Sequence, residues 1–208
     1  MQGARGIQWE ILRYLWLRGR FPMEGTSSAR QLRFLMSIVQ RTNARRIAEI
    51  GFNTGASSYA FLNAHPHTHV VAFDLSEHAS ARTAKKLIDS KFPGRHTLIY
   101  GDSRESVPEY ARRNPDSRFD LVFIDGGHQY EVAQADLANV CALCTGETVV
   151  IMDDLCPWRS YGAGPARAWG DAVRSRVVRQ DALFKDGKPT KVIERPGKRA
   201  WAVGGYIF

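Results

Sequence analysis

Short apolar, β-rich runs alternate along this chain with longer segments of helical period, and that alternation restricts the fold more than any other feature. A strand, a helix and another strand in that order build a βαβ unit, and repeated units give a parallel sheet with helices on both faces. The strands expected are Arg46–Ile50, His69–Phe73, His96–Tyr100, Leu121–Asp125 and Thr148–Met152. Helices are expected between them at Ser57–Asn63, His78–Lys91, Arg104–Arg112 and Tyr130–Leu143, and another around Ala166–Phe184. The C-terminal "KVIERPGKRAWAVGGYIF" reads as two β-rich runs about a Pro196-Gly197 turn, hence an antiparallel hairpin. Residues 7–17 and 29–41 read as two helices with no strand to follow, so residues 1–44 are expected to form a cap or lid on a unit spanning 45–208. The expected class is α/β, a Rossmann-like, mostly parallel sheet of seven strands closed by that hairpin.

In such sheets, ligands sit beyond the carboxyl ends of the strands, and the first strand–helix turn is the usual place. Here it reads "AEIGFNTGASSYAF", residues 48–61. Gly51 and Gly55 permit close backbone approach, and Ser57 and Ser58 stand where helix-opening amides point outward. Asp74 ends the second strand roughly 20 residues beyond Gly55, the offset at which a carboxylate accepts hydrogen bonds from a ribose. The close G-x-G pair of a pyrophosphate-binding turn is missing, which argues against a dehydrogenase. Glu49 would repel phosphates and attract an ammonium or sulfonium. An adenosine-type, cationic ligand is therefore expected.

On these residues the chain resembles the class I S-adenosylmethionine-dependent methyltransferases. "EIGFNTG" matches that family's first motif, "VVAFDLS" its second and "YGDSRES" its third. The resemblance implies cofactor contacts from Glu49, Gly51, Phe52, Asn53, Gly55, Ser57, Asp74 and Leu75. It also implies contacts from Asp102, placed at the adenine amino group, with Ser103 beside it, and from Asp125.

"FDLVFIDGGHQY" (119–130) and "VVIMDDL" (149–155) bring Asp125, Asp153 and Asp154 to the ends of strands four and five. Converging carboxylates repel one another unless a cation or proton intervenes, and Mg²⁺ (or another divalent cation) suits an all-oxygen set. The pattern is similar to that of metal-dependent small-molecule O-methyltransferases, which implies that Asp125, Asp153 and Asp154 are metal ligands. His128 occupies the offset at which catechol-type relatives carry a basic lysine. A histidine titrates near neutrality and could serve instead, with Asp125 as the other catalytic residue. Metal-free relatives also carry "IDG" here, so a metal-free reaction with His128 as base is the alternative. Trp158 and Tyr161, in the glycine- and aromatic-rich "PWRSYGAGPARAW", are the candidate substrate contacts.

Other features narrow the function further. The "HPHTH" at 65–69 falls in a connecting loop and is read as solvated. "CALC" (141–144) ends a helix, where thiol pKa values are not lowered, and is read as packing. Three cysteines suit a reducing, cytoplasmic setting. A net charge of +8 raises nucleic acid as a partner, yet the arginines are scattered and "DGGH" stands where an amino-methylating "DPPY" would be. No apolar run is long enough to span a membrane. The tryptophan- and leucine-rich "IQWEILRYLWLRGRF" is read as a lid or a homodimer contact, with a membrane-surface helix as the third reading. The function expected is methylation of a hydroxyl on a small molecule, Mg-assisted, in secondary metabolism.

Overall fold

A computed structural model describes residues 2–21, 26–75 and 78–208, and contains two compact units, Met1–Asp102 and Ser103–Phe208. Among the described residues are seven α-helices and eight strands, in the expected α/β class with a mostly parallel, Rossmann-like sheet.

The first unit runs α1 (Ala4–Trp16), α2 (Ala29–Thr42), β1 (Arg46–Ile50), α3 (Ala56–Ala64), β2 (His69–Asp74), α4 (Ala79–Lys91) and β3 (His96–Tyr100). Its strands lie in the order β3-β2-β1, all parallel, with Arg46 opposite His69 and Val70 opposite His96. After Arg46, every residue of β1 is buried, as expected of a strand covered on both faces. Helix α2 begins where Ser28 Oγ accepts from the Gln31 amide at 3.2 Å, and stops at Asn43, which turns left-handed at φ 53°. Helix α1 buries Ala4, Ile7, Ile11 and Leu15, one stripe at helical spacing, and packs against α2, α3 and α4.

The second unit contains α5 (Ser103–Arg113), β4 (Leu121–Ile124), α6 (Tyr130–Val140), a 3₁₀ turn at Cys141–Leu143, β5 (Val149–Met152) and α7 (Ala163–Arg174). It ends with β6 (Val178–Lys185), β7 (Lys188–Thr190) and β8 (Ala200–Tyr206). Its strand order is β4-β5-β8-β6-β7, with β4 and β5 parallel and the remaining pairs antiparallel. Pro108 interrupts α5 and leaves the Arg104 carbonyl without its helical donor; the Asn139 amide of α6 supplies one at 3.4 Å. Trp201 is fully buried and stacks on Phe184, with ring centroids 5.6 Å apart.

The C-terminal details depart from expectation. The helix expected through Phe184 stops at Arg174, and Val178–Lys185 is a strand. Arg176 closes the turn at φ 56°, and the first half of β6 carries exposed polar residues beyond the reach of β7, which hides its alternation. The tight hairpin lies at Asp186-Gly187, not at Pro196-Gly197. Both residues have positive φ (50° and 83°), and Lys185 pairs with Lys188. Asp-Gly is the residue pair such a two-residue turn favours. Residues 191–199 form irregular chain between β7 and β8.

Gly204 of β8 faces the bulge where the β6 register shifts between Gln180 and Ala182. A Cβ there would lie 1.9 Å from the Arg179 carbonyl oxygen, a backbone atom that cannot move alone. Gly204→Ala is accordingly expected to cost at least ~1–3 kcal/mol of stability, read as a lower midpoint in urea unfolding with an unchanged slope.

Candidate active site

In the first unit, the turn after β1 is built from unusual backbone. Gly51, Asn53 and Gly55 all have positive φ, at 92°, 46° and 72°. A Cβ on Gly55 would press within 2.7 Å of the Phe52 ring, so this position requires glycine on both counts. The Gly51 amide donates to the Phe73 carbonyl at 2.8 Å, and the Gly55 amide to the Phe52 carbonyl at 2.7 Å. Asp74, at the end of β2, closes the arrangement: its Oδ2 accepts from the amides of Phe52 (2.7 Å) and Asn53 (2.9 Å). Asp74 thus braces the turn, a role additional to the ribose contact expected of it.

Below the turn, Glu49 is fully buried. Ser57 Oγ donates to one carboxyl oxygen and Ser58 Oγ to the other, tying the first turn of α3 to β1. Burial pushes the Glu49 carboxyl up to about 8, against the pull of the two serines and with help from the Asp74 charge. Ser58 Oγ also lies 3.0 Å from His96 Nε2. Burial, helped by the Lys85 charge, lowers the His96 pKa to about 3, and Nδ1 has no hydrogen-bond partner among the described residues. His96 was missed from sequence, and Ser58, read with Ser57 as a helix-opening residue, faces the buried Glu49 instead. His96 opens an otherwise apolar strand, and nothing near it in sequence records Ser58 as its partner.

The remaining residues expected around a cofactor are placed as follows. Phe52 is buried, and Asn53 and Gly51 are half-buried at the surface of the turn. Leu75 is exposed just past β2. Half-buried Asp102 ends the first unit. Ser103, the first residue of the second unit, opens α5.

In the second unit, Asp125 directly follows β4, and Asp153 and Asp154 follow β5. One ligand oxygen from each lies within 4.8 Å of the others, and among the described residues this is the only His, Cys, Asp or Glu group close enough to hold an ion. The histidines of "HPHTH" and the thiol of Cys156 take no part in such a group. The Asp153 amide donates to the Ile124 carbonyl at 2.9 Å, so parallel pairing brings the two strand ends together. Asp154 adopts φ 59°, a conformation aspartate tolerates better than most residues. Its Oδ2 lies 3.0 Å from His128 Nε2.

His128 is held from behind. A Cβ on Gly164 would lie 2.3 Å from the His128 carbonyl oxygen and 2.6 Å from the Tyr130 amide nitrogen, so α7 starts in direct contact with the loop. A Cβ on Gly162 would likewise lie 2.2 Å from the Cys156 carbonyl oxygen. The Tyr161 ring is 6.0 Å from His128, and its hydroxyl donates to the Lys198 carbonyl at 2.6 Å. Trp158 Nε1 donates to the Gly197 carbonyl at 3.1 Å. Trp169 is buried and bonds to Gln180, so it belongs to the core. Cys144 is also core, its thiol pushed up to about 12 by burial.

A family model described as "Methyltransferase domain" matches residues 48–155, and the chain belongs to that family. It is thereby a class I, S-adenosylmethionine-dependent methyltransferase, as the three motifs imply. No curated protein sequence matches significantly. Among solved structures, the chain is similar to an O-methyltransferase from Bacillus cereus in complex with S-adenosylhomocysteine, at 20% identity and TM-score 0.75, covering 96% of this chain and 90% of that one. It is similar to TomG of Streptomyces achromogenes, an O-methyltransferase of tomaymycin synthesis bound to S-adenosylmethionine, at 18% identity and TM-score 0.72, covering 96% and 89%. CalS11, a TDP-rhamnose 3'-O-methyltransferase of calicheamicin biosynthesis, aligns at 20% identity and TM-score 0.58, covering 83% and 79%. At such identities these likenesses establish the fold. Among the described residues, no helix is long and apolar enough to cross a membrane.

The burial of Glu49 has a measurable consequence. Its pKa lies near 4.5 unfolded and about 8 folded, so its contribution to stability is complete below about pH 4.5 and is lost as pH rises through 8. His96 acts in the opposite window, losing its contribution as pH falls from 6.5 through about 3. Between pH 6.5 and 8, therefore, Glu49 acts alone of the two. Urea unfolding of the wild type is expected to weaken there by up to ~1.4 kcal/mol per pH unit, and in Glu49→Gln this slope should flatten.

Proposed function

We propose that the chain transfers a methyl group from S-adenosylmethionine to a hydroxyl of a small molecule, assisted by a divalent cation at Asp125, Asp153 and Asp154. The observation that carries the proposal is the convergence of these three carboxylates. Three acidic oxygens within 4.8 Å form a hard, all-oxygen donor set that suits Mg²⁺, and they repel one another without a positive partner. A bound cation would supply Lewis acidity, lowering the pKa of a substrate hydroxyl. Two oxygens on adjacent carbons would chelate best, which favours a catechol or vicinal diol. The neighbours that act in tomaymycin and calicheamicin biosynthesis support a natural-product substrate and secondary metabolism.

For the methyl donor, the turn Gly51–Gly55 offers close backbone approach at the methionine end, with Ser57 at the start of α3. Asp74, Leu75, Asp102 and Ser103 would lie toward the nucleoside. Glu49, neutral for much of the physiological range and bonded to Ser57 and Ser58, supports this turn from below.

His128 takes the hydroxyl proton in this reading. The contact of Nε2 with Asp154 fixes the ring, and the side chain is 44% exposed, hence reachable. The faces of Trp158 and Tyr161 contact the substrate, since their polar ends are spent on Gly197 and Lys198. The alternative is metal-free transfer with His128 as base, which the His128–Asp154 pair would also support.

Calorimetric titration of Mg²⁺ into cofactor-loaded protein separates the two readings. Saturable binding in the wild type, lost in Asp153→Ala, is expected, together with loss of methyl transfer in a chelator. Wild-type protein that binds no Mg²⁺ with substrate present, yet transfers methyl groups in the chelator, would sink the metal-assisted reading. His128→Asn should lower kcat by ~10²-fold or more with the cation site intact.

A further inference from the structure

Helix α1 carries a second stripe opposite the one it buries. Trp9, Leu12 and Trp16 project from one side at spacings of three, four and seven, and the chain leaves the helix through Leu17 and Phe21. These are large apolar side chains in water: Trp9 is 64% exposed, Trp16 63% and Phe21 63%. Isolated exposed hydrophobic residues are ordinary, but five within thirteen residues on one helix and its exit make a patch.

The exposed charges on this segment, residues 2–21, are all of one sign. Arg5, Arg13, Arg18 and Arg20 are exposed on the same segment. Arg13 lies over the Trp9 ring at 5.1 Å and Arg18 over Tyr14 at 3.6 Å, so the guanidinium groups frame the aromatic surface. The one acidic residue within residues 2–21 is Glu10, which turns to the other side, ion-paired to Lys91 and accepting from Tyr59 at 2.9 Å. A second copy of the chain fits this face poorly. A two-fold contact lays a surface against itself, so the arginines would meet arginines with no exposed carboxylate between them. An anionic lipid surface fits on both counts: indole rings favour the level of the headgroups, and arginines bury their stems while their charged ends stay among phosphates.

We propose that the outer face of α1 is a docking surface for membranes rich in anionic lipid, on which the chain lies peripherally without crossing. The full chain is expected to co-sediment with phosphatidylcholine vesicles containing ~30% phosphatidylserine, and far less with phosphatidylcholine alone. Its tryptophan emission should shift to the blue on binding. Raising NaCl from ~0.15 to ~0.5 M should release it. Trp9→Ala combined with Trp16→Ala, and separately Arg13→Glu, should each lower the partition coefficient by about tenfold or more. All three substitutions are at solvent-facing positions, so unchanged circular dichroism and thermal unfolding would show that the fold is retained. No sedimentation with either vesicle would overturn the proposal. So would equal binding by the tryptophan double variant, or a concentration-dependent dimer, without vesicle binding, that the same substitutions dissolve.

Discussion

A carboxyl group with no water around it has to find hydrogen bonds in the protein, and Glu49 finds both in the first turn of α3. That requirement organises the ligand end of the first unit. Ser57 and Ser58 must face inward at the helix start, so α3 can begin at only one rotation about its axis. The chain then has just the residues between Ile50 and Ala56 in which to leave β1 and enter α3, and it does so through three positive-φ positions. Asp74 reaches from the neighbouring strand to hold two of the turn's amides. His96, one strand further, is joined through Ser58. Side chains from β1, β2, α3 and β3 are thus linked beneath one turn.

The acidic triad poses the reverse problem. Parallel pairing of β4 with β5 carries Asp125 and Asp153 to neighbouring strand ends, and the left-handed residue Asp154 brings a third carboxylate into the same space. Carboxylates this close repel one another, and a cation would offset that repulsion, which is why the proposed chemistry rests on them. The glycines at 162 and 164 show how firmly the His128 loop is set: backbone touches backbone there, and no side chain intervenes to cushion a shift.

The parallel strands were legible because burial on both faces writes an uninterrupted apolar run, as in "LVFI" and "VVIM". The glycine turn and the acidic strand ends were legible for a related reason, since their residue types are improbable at such positions without a role. Val178–Lys185 was not legible. Half of that strand has no neighbour on one side, so charged residues occupy it and its period disappears. Its turn, Asp186-Gly187, was marked plainly but lay beyond a helix assigned too long. Tertiary pairings such as Ser58 with His96, or Trp158 with Gly197, leave no local trace, because nothing near either residue in sequence records the partner.

The contacts made by Trp158 and Tyr161 reach carbonyl oxygens, not side chains, of residues 197 and 198. A carbonyl is present whatever amino acid supplies it. The strand-free stretch before β8 can therefore exchange its exposed side chains, Lys198 among them, while the two aromatic residues keep hold of its path. Under the proposed function, change in what the chain recognises would in this way be separated from the integrity of the loop beside the substrate. New specificities would then be accessible by single steps, without an intervening form in which the loop has come loose.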